Sequence, residues 1–127
     1  MSTKKRDPIK HVRDKAKAKY EKGTECRICG STKELDFHHF HSLTPLFNKW
    51  LKERSISIET DEDVIAIREE FIAQHQHELY KATVTLCHTH HMALHSIYGK
   101  DPSLASASKQ ERWVEIQREK NGRSIVG

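Results

Sequence analysis

Apolar side chains at positions 43, 46, 47, 50 and 51 (Leu43, Leu46, Phe47, Trp50, Leu51) recur at the i, i+3, i+4, i+7, i+8 spacing of one helical face. Thr44-Pro45 would open that helix. A second helix is expected from Thr60, because Asp61, Glu62 and Asp63 follow where the positive end of a helix dipole favours acids. Val64, Ile65, Ile67, Phe71, Ile72 and Leu79 would form its buried side, so the two helices read as a hairpin. Upstream, Asp7-Pro8 reads as N-cap and first residue of a helix running to about Glu21 and stopped by Gly23. Its apolar stripe is thin: Val12, Ala16 and Tyr20. Residues 24–41 read as a turn-rich knuckle followed by a strand, and the β-branched run 82–86 as the second strand of a hairpin. A helix from His90 or His91 to about Tyr98 follows, stopped by Gly99 and Pro102. Ser108-Lys109-Gln110-Glu111 matches a capping box for a last helix, with Trp113 and Ile116 facing inward and Asn121-Gly122 as terminator. The fold class is α+β, with a small two-stranded element among helices.

With 127 residues, 31% charged and 35% hydrophobic, and a mean hydropathy of −0.78, the chain has little material for an extensive core. Small chains short of core need a staple, and a metal ion is the one these residues offer. Three cysteines cannot all pair with one another, and two stand in a C-x2-C unit, which suits ligation in a reducing cytosol better than disulfides. No secretory leader or membrane-length apolar run is visible, so a cytoplasmic setting is expected. The net charge is only +4, but nine Lys/Arg against three acids give residues 1–22 a charge of +6, whereas residues 44–81 carry five bases against eight acids. A basic arm on a balanced body points to a polyanionic partner. Its cations are Lys4, Lys5, Arg6, Lys10, Arg13, Lys15, Lys17, Lys19 and Lys22.

The chemistry concentrates in Leu86-Cys87-His88-Thr89-His90-His91-Met92-Ala93-Leu94-His95. Cys87 and His90 form a C-x2-H pair, a spacing that grips one metal from a tight turn. Cys26 and Cys29 supply the matching half of a closed, structural Cys3His zinc site. A Cys87-His88 pair is the poorer alternative, because adjacent residues have unfavourable geometry. The 57 residues from 30 to 86 are too many for a compact finger, so an intervening unit must bring the halves together. His91 and His95, four apart, share one helix face, and His38-His39 supply a second pair in the predicted first strand. Neighbouring strand side chains point to opposite faces, so His38 and His39 cannot share one environment.

In this order, C-x2-C, then His-His, then Leu-C-x2-H-His-x3-His, the motifs resemble the HNH (ββα-metal) endonucleases with a structural zinc knuckle, over about residues 25–98. The resemblance implies a small ββα-metal core carrying the helical hairpin as an insertion at about 43–81. The division is then a basic arm at 1–23, an HNH-like unit at 24–99 and a C-terminal helix and tail at 100–127. It also implies a divalent-metal-dependent DNA endonuclease giving 5′-phosphate and 3′-hydroxyl ends, with His39 as general base and His38 and His95 as ligands of the catalytic ion. His91 would be a further ligand or a phosphate contact. The ion would be Mg²⁺, Mn²⁺ or a softer one such as Ni²⁺ or Zn²⁺, since an all-histidine site is nitrogen-rich for Mg²⁺. One small centre cuts one strand, so nicking is the default and two-strand cleavage would need a homodimer. By analogy, free-standing nucleases of this kind belong to phages and mobile elements, homing types among them. The family's middle Asn, which orients the base through the local backbone, would fall at Ala82; Asn48 reads as a helix-surface residue, and His41 and Asp36 are candidate substitutes. The competing readings are a non-catalytic zinc-stapled nucleic-acid-binding module and a histidine-rich metalloenzyme of another class.

Overall fold

The computed structural model describes residues 7–122. Asp7 caps the first helix, α1 (Pro8–Ala16), its carboxylate accepting from the Ile9 amide at 3.2 Å. The helix ends well short of Glu21: residues 17–19 tighten into a 3-10 turn and Tyr20 is already extended. The cause lies in the sheet, because Tyr20 leaves the helical path to stack on Phe37, centroids 4.6 Å apart and planes within 12°. The Tyr80 hydroxyl then donates to the freed Ala16 carbonyl at 2.9 Å, partnering a helix-end group.

Strands β1 (Leu35–His39) and β2 (Thr83–Cys87) pair antiparallel, with Leu35 opposite Cys87 and His39 opposite Thr83. The segment joining them holds α2 (Leu43–Glu53) and α3 (Asp61–Gln74). Ser42, not Thr44, is the N-cap of α2, so Pro45 sits in the first turn, where its missing N–H costs nothing. Thr60 caps α3 as expected, in a reciprocal box with Asp63. Leu43, Leu46, Phe47 and Trp50 bury against Val64, Phe71 and Ile72, but Ile65, one residue around from that seam, is 44% exposed. Leu79 is fully buried from beyond α3, on a π-helical turn at His77–Lys81. Helix α4 (His88–Tyr98) starts earlier than expected, because the Glu34 carbonyl accepts from the His88 amide at 2.8 Å. Gly99 ends it at φ 91.

The last helix, α5 (Ala107–Lys120), begins straight from a 3-10 turn at Leu104–Ser106. Ser108 therefore lies inside the helix, exposed, and its box with Glu111 does not form. The inward stripe is Ala107, Gln110 and Val114, while Ile116 is 39% exposed and Trp113 only partly covered. Counting apolar residues alone misphased this helix, since its most buried position is an amide.

Two apolar clusters result. One joins α1, α2, α3 and Leu79; the other joins Cys26, Ile28, Phe40, Leu86, Cys87 and Leu94 to Ala107 and Val114 of α5. Among the described residues no helix is long and apolar enough to cross a membrane.

Candidate functional site

The sulfur and nitrogen ligand atoms of Cys26, Cys29, Cys87 and His90 all lie within 4.8 Å of one another. Gly30, at φ 78, turns the first knuckle so that its amide reaches the Cys26 carbonyl at 2.9 Å. The Arg27 amide donates to the Thr85 carbonyl at 2.9 Å, fastening that knuckle alongside β2. Cys29 Sγ and Cys87 Sγ are 3.9 Å apart and Cys87 Sγ is 3.3 Å from His90 Nδ1. A disulfide needs about 2.05 Å, whereas two thiolates sharing one tetrahedral zinc at about 2.3 Å sit roughly 3.8 Å apart. Burial alone would raise the Cys26 thiol, but the amides of Cys87, Cys29 and Ile28 outweigh it and hold the group below its ordinary range. Burial and the neighbouring Cys26 push Cys87 upward. His88, the poorer ligand alternative, turns away to Asp36 at 3.0 Å.

A second set gathers on the other side of α4. His38 Nδ1 lies 3.1 Å from His91 Nε2, which lies 3.1 Å from His95 Nε2. Each ring meets a proton acceptor with its other nitrogen. His38 Nε2 faces the Gln110 amide oxygen at 2.8 Å, His91 Nδ1 the Asp36 carboxylate at 3.0 Å, and His95 Nδ1 the Gly99 carbonyl at 2.7 Å. Those acceptors carry no proton, so the outer nitrogens must donate and the inner ones are left as bare lone pairs. Three lone pairs aimed at one another repel, and a cation among them removes the conflict. Neighbouring nitrogen ligands of one ion at about 2.1 Å are roughly 3–3.4 Å apart, so the set fits a divalent metal. Burial, then the facing rings of His91 and His95, depress His38 to about 4. Burial also lowers His91. Burial would raise Asp36, but hydrogen bonds from His91 and His88 outweigh it and keep the carboxylate ionised.

His39 is not a member of this cluster. Strand alternation sends its ring to the opposite face, edge-on to Phe37 and Tyr20, with Nε2 3.0 Å from the Leu79 carbonyl. That carbonyl is acceptor-only, so Nε2 carries the proton and Nδ1 the lone pair. Burial, with some help from the Arg13 charge, depresses His39 to about 4. His38 and His39 nonetheless both border one cleft of about 180 Å³, with Arg13, His91, His95, Lys100 and Asp101 around it. Ala82 is buried, and the carbonyl reaching His39 belongs to Leu79, three positions earlier. Asp36 orients His91 and His88 rather than His39, and Asn48 is exposed on α2.

Of the basic arm, Lys10, Arg13, Lys15, Lys17 and Lys19 are exposed; Lys4, Lys5 and Arg6 lie outside the described residues. Arg13 alone of the described arm cations lines the cleft, while Lys15 and Lys17 sit 3.9 and 3.6 Å from Glu69 and Asp14. Sequence reasoning missed Gln110, Lys100 and the Leu79 carbonyl. A backbone carbonyl leaves no trace in residue identity, and a buried glutamine reads as surface in a hydropathy pattern. No solved structure matches this chain. A family model described as the nicking endonuclease family, named for phage T5, matches residues 1–124.

Proposed function

Because the chain belongs to the phage T5 nicking endonuclease family, whose model spans residues 1–124, we propose that it nicks DNA with an HNH-type, divalent-metal-dependent centre. The observation that carries this reading is the triangle of inward-facing nitrogens of His38, His91 and His95, each ring locked by an acceptor behind it. These three would hold the catalytic ion, Mg²⁺, Mn²⁺ or a softer one such as Ni²⁺. When bound, the ion supplies Lewis acidity at the scissile phosphate and at the departing oxygen. Cys26, Cys29, Cys87 and His90 would hold a structural zinc that anchors the start of α4.

His39 takes the proton. Its Nε2 is tied to the Leu79 carbonyl, so Nδ1 is free to receive a proton from the water that attacks phosphorus. The Leu79 carbonyl then orients the base where the family pattern relies on an Asn. The new P–O bond forms as the bond to the 3′ oxygen breaks, leaving a 5′-phosphate and a 3′ oxyanion that takes a proton from solvent water to become the 3′-hydroxyl. Arg13, at the cleft edge, pairs with a phosphate oxygen, and the other exposed lysines of the arm add affinity without sequence readout. On this reading residues 24–99 cut, residues 1–23 grip the backbone, and α5, within the C-terminal part 100–127, braces the site through Gln110. One centre cuts one strand, so a monomer suffices for nicking.

The test is nicking of supercoiled plasmid by wild type and His39→Ala, in EDTA and in Mg²⁺, Mn²⁺ or Ni²⁺. Metal-dependent nicking that the variant loses, with zinc content and DNA affinity intact, is expected. Tight DNA binding with no cleavage by metal-loaded wild type would leave the zinc-stapled binding module instead.

A further inference from the structure

Gln110 lies on the inward face of α5, 0% exposed, outside every ligand set. The direction of each of its hydrogen bonds follows from its partners. The Ser106 hydroxyl gives its single proton to the Ser103 carbonyl at 2.7 Å, so toward Gln110 it can only accept, at 2.9 Å from the amide nitrogen. The Phe40 carbonyl, 3.1 Å from the same nitrogen, is also acceptor-only. Both amide hydrogens are thereby committed, and the amide cannot flip without setting its oxygen against two acceptors. Its Oε1 therefore faces His38 Nε2, at 2.8 Å.

An amide oxygen has no proton to give, so it accepts one from His38 and forces the Nε2–H tautomer. The opposite tautomer would bring a lone pair against Oε1 and drive a proton into the space between His38, His91 and His95. We infer that Gln110 is a positioning residue that fixes the tautomer and ring plane of His38, so that Nδ1 is presented as a ligand. The relay runs from Ser103 through Ser106 and Gln110 to His38, and it makes the C-terminal helix part of a centre to which it contributes no ligand. The inference rests on the reading that His38 binds the catalytic ion. Outer-shell partners of metal-bound histidines typically change affinity by about 10- to 100-fold when removed.

The test uses the full-length, zinc-loaded protein with ¹⁵N-labelled histidine. Long-range ¹H–¹⁵N spectra without other divalent ions should show His38 protonated at Nε2; protonation at Nδ1 overturns the inference without any variant. Calorimetric titration with Mn²⁺ should then show about 10- to 100-fold weaker binding for Gln110→Leu, with its knuckle zinc retained and the His38 tautomer no longer uniform. Gln110→Glu keeps an acceptor on His38 while giving up the donations to Phe40 and Ser106. It should melt at a lower temperature yet bind Mn²⁺ within a few-fold of wild type with His38 still protonated at Nε2; loss of that tautomer or of Mn²⁺ binding in this variant overturns the inference even if Gln110→Leu does not fold. A purely structural role predicts lower melting temperatures with unchanged Mn²⁺ affinity in both variants, which overturns the inference. If wild type binds neither Mn²⁺ nor, titrated in the same way, Mg²⁺ or Ni²⁺, the ligand reading fails and this inference with it. If wild type binds and Gln110→Leu binds equally well, the role of Gln110 alone fails.

Discussion

Lowering the pH from 7.5 to 5.0 should destabilise the wild-type protein more than a His39→Gln variant. His39 is held neutral in the folded chain, its pKa depressed to about 4 by burial and by Arg13, whereas an unfolded histidine titrates near 6.5. The unfolded chain therefore takes up a proton first as the pH falls. Stability is unaffected above about pH 7 and is lost progressively from about 6.5 down to the folded value. At pH 5.0 an unfolded histidine is almost fully protonated and the folded His39 only about a tenth so, which amounts to about 2 kcal/mol, or somewhat less because the ring is only partly covered. His39 also helps to lower His38, but as the least of its causes, so most of the His38 contribution cancels in the comparison. A glutamine at this position still offers an N–H to the Leu79 carbonyl but cannot titrate. Urea unfolding of both zinc-loaded proteins at the two pH values, without other divalent ions, measures the difference. A wild-type loss exceeding the variant's by less than about 0.5 kcal/mol would refute a buried, neutral His39, because a solvated imidazole brings no such linkage.

Two further outcomes follow from the geometry. Cys87→Ser should release the knuckle zinc and collapse the thermal transition, since Cys87 would hold the ion directly at the start of α4; zinc measured at full stoichiometry after gel filtration would contradict the ligand set. Arg13→Ala should slow nicking while reducing the slope of log affinity against log salt by about one, the mark of one lost phosphate contact. An unchanged slope would place Arg13 off the DNA backbone.

Much of the fold was legible because the elements carry local signals. The stripe Leu43, Leu46, Phe47, Trp50 and the acid-rich start at Thr60 each fixed a helix, and the ligand spacings joined Cys26 and Cys29 to Cys87 and His90 across the insertion. Strand alternation correctly separated His38 from His39. The misses are tertiary in origin. Tyr20 left its helix for a ring 17 positions away, on Phe37, and α5 turns the Gln110 amide inward onto His38 beside buried Ala107 and Val114. The partner of His39 is a carbonyl on a π-helical turn, which depends on backbone path and not on which side chain Leu79 carries.

The long insertion also bears on how the protein is made. Fifty-eight positions separate Cys29 from Cys87, so a ribosome working at about 5–20 residues per second needs roughly 3–12 s to supply the second half of the knuckle. Throughout that interval Cys26 and Cys29 are a bare dithiol on a nascent chain, open to oxidants and to transient metal capture. Once Cys87 and His90 emerge, closing the site means ordering a loop of that length, and folding of α2 and α3 shortens the search. If the proposed zinc is the knuckle ion, its capture would be a late checkpoint in biogenesis: a chain whose insertion has misfolded could not complete the knuckle, and α4 would lack an anchor from which to present His91 and His95.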